Sequence, residues 1–236
     1  MKNKSGFRAL ETEAGKAIGG VKGTIQKEVR HWPALIAVLA VAIVFTILSE
    51  RLVIGPGWLI FVAILALAIP ALIFGLGGKH RLKHYILLVL YFLTTMVEAS
   101  SIVLLLLSLP DKSIPAPTLL LNAGLLWGTN IVVFALWYWQ VEGGGPTERS
   151  QESANIYHKQ AELIFPQLTM LEQRPEFADW RPSFTDYLFV AFNTSTAFSP
   201  TDTPILTTRL KILSMLQSVL SLVTIATLAA RAINIL

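Results

Sequence analysis

The chain has 236 residues, of which 53% are hydrophobic and 14% charged, with a formal net charge of +4 and a mean hydropathy of +0.59. A soluble domain of this composition would expose large apolar patches, so the sequence points to a bilayer. The absence of cysteine excludes disulfides, thiolate metal sites and cysteine nucleophiles, and the four histidines, at 31, 80, 84 and 158, form no metal-ligand cluster.

Residues 1–32 carry seven Lys/Arg against three Glu and place Phe7, Leu10, Ala14, Ile18, Val21, Ile25 and Val29 at helical spacing. This predicts a basic amphipathic segment on an anionic leaflet, with a solvated tail as the alternative. No secretory signal is expected, because the first apolar run begins only after Pro33. A spanning helix needs about 20 predominantly apolar residues. The first such span starts at Pro33 and runs into "RLVIGPG", whose glycines and proline force a turn into the second, Trp58 to Leu76. The loop "GGKHRLKH" then leads to a third, Tyr85 to Leu109, which ends at the proline-rich "PDKSIPAPT". These segments form a three-helix region, 33–117.

The fourth span covers about 118–139 and closes in the aromatic belt "WYWQVEGGGP". Residues 140–182 read as a polar loop. An apolar helix over 184–197 follows, too short to cross, then the polar turn 198–204 and a fifth span over 207–235. The fold class expected is an all-α membrane protein with five transmembrane helices, one re-entrant half-helix and the basic N-terminal segment. The basic N-terminus and the 79–84 loop are separated by an even number of crossings. The positive-inside rule therefore places both, and residues 140–182, on the cytoplasmic side of a cell (inner) membrane.

"DYLFVAFNTSTAFSPTDTP", followed by "RLKILSMLQSVLSLVTIATLAARAINIL", resembles the pore helix, filter and inner helix of the tetrameric P-loop cation channel superfamily, to which potassium channels belong. "FSPTDT" with this last helix is also similar to a family of uncharacterised bacterial polytopic membrane proteins. The channel resemblance makes 118–236 a pore module of a homo-oligomer, a tetramer if channel-like. Where a potassium filter reads threonine, valine, glycine, tyrosine, glycine, aspartate, this chain has Thr196, Ala197, Phe198, Ser199, Pro200 and Thr201. A carbonyl ladder needs those glycines. What the resemblance implies instead is a cation path built from side-chain rings of Ser195, Thr196, Ser199, Thr201, Asp202 and Thr203. The competing reading makes Ser199 to Asp202 a capping turn for the fifth helix.

Two further features are polar groups inside spans. Ser214, Gln217, Ser218, Ser221, Thr224, Thr227 and Arg231 form a stripe on the fifth span, either a pore wall or a packing face between helices. Glu98 sits near the middle of the third span, where a carboxylate costs about 2.5–3.5 kcal/mol. It is either a proton or cation site, or a hydrogen-bonded contact of Asn122, Thr129 or Asn130. No phosphate loop, nucleophile elbow, HExxH helix or catalytic triad is present, so neither an enzyme nor a cofactor is expected, and no nucleic acid either. Three functions remain: a channel-like cation pore, a non-conducting scaffold whose 140–182 loop binds a protein partner, and a proton-coupled carrier using Glu98.

Overall fold

The computed structural model describes residues 32–111, 114–151, 154–200 and 202–233. The expected basic N-terminal helix, Thr201 and the side chain of Arg231 lie outside the described residues. Apart from one bridge between Leu163 and Ile205, the described chain is helical. Nine α-helices follow in order: α1 Trp32–Ile47, α2 Gly57–Leu76, α3 His80–Ser108, α4 Ala116–Val141, α5 Pro146–Gln151, α6 Ala154–Gln160, α7 Pro166–Thr169, α8 Phe184–Ala197 and α9 Thr208–Ile233.

Four segments are long and apolar enough to cross a membrane: Gly57–Leu76, His80–Ser108, Ala116–Gly144 and Thr208–Ala230. The expected first span is shorter. α1 has 16 residues, about 24 Å of helix against a hydrocarbon core of about 30 Å. It stops because Ser49, Glu50 and Arg51 interrupt the apolar run and the chain tightens into a 3-10 turn at Glu50–Leu52. The loop expected at 79–84 is likewise mostly helix. Only Gly77 to Lys79 turn, and α3 starts at His80 because no breaker follows Gly78.

α1 and α2 form a close hairpin. A Cβ on Gly57 would lie 2.8 Å from the Phe45 carbonyl oxygen, so only glycine permits this approach. The connections sort into two ends. At one, Arg51 and Asp111 pair at 3.2 Å across the α1–α2 and α3–α4 turns. At the other, His84 near the start of α3 meets Gln140 at the end of α4 at 2.7 Å. α4 is the central helix, packed against α1, α3, α8 and α9. The outer faces of α1, α2, α3 and α9 carry exposed Leu, Ile, Val and aromatic side chains, a surface that suits lipid and not water.

The segment expected as a polar loop is anchored by a buried ion pair. Glu142, fully buried, lies 3.3 Å from Arg149. Arg149 donates to the Trp139 carbonyl at 2.8 Å and to the Glu142 carbonyl, and its guanidinium sits against the rings of Trp139 and Tyr187. Tyr187 of α8 donates to Glu142 at 2.8 Å, and burial holds its phenol well above the ordinary value, so it stays a donor. Gly143, left-handed at φ 55°, gives its N–H to Glu162, 3.2 Å away.

Removing one charge from a buried pair strands the other at a cost of about 3–5 kcal/mol. Arg149→Met is therefore expected to lose about that much in an SDS-unfolding titration. The double variant Arg149→Met/Glu142→Gln should recover part of the loss, and additive losses would show that the two charges are not coupled.

Candidate functional site

α8 begins at the level of the ion pair and ends deep in the bundle. Ser183 caps it, with its backbone N–H donating to the Asp186 carboxylate at 2.7 Å and a reciprocal cap from the serine side chain. Phe184 and Tyr187 stack edge-on against Trp139 near the end of α4. In the last turn of α8, Ser195 donates to Asn130 Oδ1 at 2.9 Å, about nine residues back along α4 from Trp139 and hence roughly 13 Å deeper. The chain then returns to its starting end, where Leu206 N–H donates to Glu162 O at 2.9 Å and Ile164 N–H to Pro204 O at 3.0 Å. The return begins at Phe198, left-handed at φ 55° without being glycine, a strained helix end of a kind found where the chain is forced by its surroundings.

The polar residues of α9 converge on this half-helix. Gln217 donates to Ala191 O at 2.7 Å and Ser195 Oγ at 2.9 Å, and accepts from Tyr138 at 2.6 Å. Ser221 donates to Ser195 O at 2.7 Å. Thr224 and Thr227 return their hydroxyls to carbonyls on their own helix. Ser214, Gln217, Ser221 and Thr224 are buried, whereas Ser218 is half-buried. Of the residues expected along an ion path, Ser195 and Thr203 are buried. Thr196 is exposed and bonds back to Phe192 O at 2.9 Å, and Ser199 and Asp202 lie exposed on the turn.

The hydrogen-bond chain Tyr138, Gln217, Ser195, Asn130 ends beside Glu98. Asn130 is the neighbour within reach of a hydrogen bond to the Glu98 carboxyl, but neither Glu98 oxygen nor Asn130 Nδ2 has a partner in full hydrogen-bond geometry among the described residues. Ser101, one turn along α3 from Glu98, is fully buried and its Oγ is open too. Neighbouring hydroxyls do not help: Thr94 and Thr95 donate to Tyr91 O, and Thr129 to Leu125 O. Of the contacts expected for Glu98, Asn130 is therefore the one in place. Asn122 lies about two turns away from Asn130 on α4 and has its own open Nδ2.

Buried polar groups are almost always hydrogen-bonded, so a fully buried carboxyl whose two oxygens have no partner, with an open hydroxyl and an open amide N–H near it, stands out among the described residues. Among the described residues no three His, Cys, Asp or Glu side chains converge as metal ligands. Sequence reasoning found Glu98, Ser195 and the α9 stripe. It missed Tyr138 and the Glu142–Arg149 pair, because an aromatic belt and a polar loop are ordinary features of a helix end and nothing in their spacing distinguishes a buried cluster.

Cysteines replacing Ser199 or Asp202 should react with a small charged thiol reagent, while those at Gln217, Ser221 and Thr224 should stay protected from both sides of the membrane. Labelling at 217 and 221 would mean that water reaches the stripe and that α8 does not cover it. Gln217→Leu leaves Ser195 and Tyr138 without their partner and is expected to cost about 1–3 kcal/mol in the same unfolding titration. None of the known family models matches the chain, and neither does any curated protein or solved structure.

Proposed function

We propose that this chain is an integral membrane protein that takes up and releases a proton or monovalent cation at Glu98, the central step of an ion-coupled carrier. One observation carries the proposal: the Glu98 carboxyl is fully buried with both oxygens open, next to Ser101 and Asn130. A carboxylate at the centre of a bilayer is stable only with a proton or cation on it or a partner beside it. α8 supports the same site as a re-entrant half-helix. Its C-terminal end, the negative end of the helix dipole, stops at the depth of Asn130, where half-helix ends in carriers favour cations. The hydrogen bonds of Gln217 and Ser221 to α8 hold that end in place.

A second reading, a channel-like cation pore in a homo-oligomer, is favoured by the exposed turn carrying Ser199 and Asp202 at the end of a helix too short to span. It has less support, because the α9 stripe that would line the water path is occupied in hydrogen bonds within the protomer.

Dicyclohexylcarbodiimide attacks protonated carboxyls in apolar surroundings, so it is expected to modify Glu98 of the purified protein. Only the acid form reacts, so labelling should slow as pH rises; slowing by sodium at fixed pH would identify sodium as a competing ion. In vesicles loaded with a pH-sensitive dye, proton uptake under an imposed potential should disappear in Glu98→Gln. Flux that survives Glu98→Gln and falls with Asp202→Asn would replace the carrier by the pore. Absence of both flux and labelling would leave the scaffold.

A further inference from the structure

At the end of the bundle away from the Arg51–Asp111 pair, a cavity of about 450 Å³ opens between the start of α3 and the glycine turn after α4. His80, Arg81, Lys83 and His84 reach it from the first turns of α3, and Glu148 contributes the opposing charge. Arg81 and Lys83 make no ion pair among the described residues. Gln140 fixes His84: the amide nitrogen lies 2.7 Å from Nδ1, so Nδ1 accepts and the ring proton sits on Nε2, available to a ligand. Gly145 closes the floor. A Cβ there would fall 3.0 Å from Gln140 O and 3.3 Å from His84 Nδ1, and its φ of +100° is glycine's own.

A second, narrower crevice lies beside the first and shares Lys83, Gln140 and Pro146 with it. Its other walls are mostly apolar, from Leu35 of α1, Ala68 and Leu72 of α2 and Leu87 of α3, with the rings of Tyr91 and Trp139 beside them. The stem of Lys83 runs along α2, where a Cβ on Gly75 would meet it at 3.0 Å. Lys83 thus belongs to the walls of both spaces.

A cationic cavity continuous with an apolar groove between helices, at the level where spanning segments end, has the two halves of an amphiphile binding site. We infer that this cleft binds an anionic phospholipid, its phosphate held by Lys83, Arg81 and the Nε2–H of His84 and one acyl chain lying in the crevice between α1, α2 and α3. Glu148 disfavours a second negative charge, so the site suits a headgroup with one phosphate. The site is separate from Glu98 and independent of its role.

The test is native mass spectrometry of the detergent-purified full chain, titrated with palmitoyl-oleoyl phosphatidylglycerol and, separately, the matching phosphatidylcholine. Phosphatidylglycerol should be retained in preference. Lys83→Gln should weaken its retention about fivefold, the value of roughly 1 kcal/mol per basic side chain at an anionic surface. Lys79→Gln removes the same charge outside the cleft and should change nothing. Ala68→Phe, which fills the crevice without altering charge, should also release the lipid. Glycerol 3-phosphate and inorganic phosphate, offered in the same excess, should fail to displace it. Equal retention of the two lipids, or equal effects of Lys83→Gln and Lys79→Gln, would overturn the inference in favour of unspecific lipid contact. Displacement by free phosphate, or full retention in Ala68→Phe, would overturn it in favour of a soluble anion.

Discussion

The buried pair of Glu142 and Arg149 is the constraint on which the rest of the arrangement depends. Two charges removed from water are stable only if each is paired and hydrogen-bonded. Here the guanidinium is held by the Trp139 and Glu142 carbonyls and two aromatic rings, while the carboxylate accepts from Tyr187 and from the Glu162 backbone. Because these partners come from the end of α4, from α5, from the chain after α6 and from α8, satisfying one ion pair fixes the position of four segments. Glu162 extends the arrangement by binding Arg209 in two hydrogen bonds of 2.6 Å, which sets where α9 starts.

With its upper end fixed there, α8 has its depth set by helix length alone, and its last turn falls beside Asn130. The polar groups of α9 then serve a purpose that their pattern does not reveal. Ser221 satisfies the Ser195 carbonyl in the last turn of α8, which would otherwise face an apolar interior, and Gln217 holds the helix one turn earlier through the Ala191 carbonyl. In hydrocarbon such bonds are individually weak, about 0.6 kcal/mol, but Tyr138, Gln217, Ser195 and Asn130 Oδ1 are linked in one run of hydrogen bonds, whereas neither oxygen of Glu98 has a partner among the described residues. Glu98 is the one carboxylate among the open groups of the described residues.

The proposed cation site and the proposed lipid cleft are both set by α3 and α4. Their antiparallel packing puts Glu98 opposite Asn130 and His84 opposite Gln140. α3 gathers the basic residues in its first turns and the carboxyl near its middle, so both proposed sites draw on one helix.

Much of the fold was legible in the sequence because bilayer helices obey a severe rule: about 20 apolar residues, every backbone bond satisfied internally, and breaks only at glycine, proline or charge. That rule places α2, α3, α4 and α9, and the shortness of the apolar 184–197 run gives α8. It overestimated α1, whose apolar run is cut by Glu50 and Arg51, and it treated 79–84 as loop because the charge there hid a helix start. Composition and spacing also singled out Glu98, since a lone carboxylate among apolar residues is costly wherever it packs. What they could not give was partnership. Whether Gln217 faces water or Ser195, whether Arg149 is solvated or buried against Trp139 and Tyr187, and whether Glu98 finds a donor all depend on contacts between residues dozens of positions apart. Those are set only when α8 docks between α4 and α9. The sequence by itself determined a bundle of apolar helices with one misplaced charge; the tertiary structure alone decided which polar groups satisfy one another and which are left open.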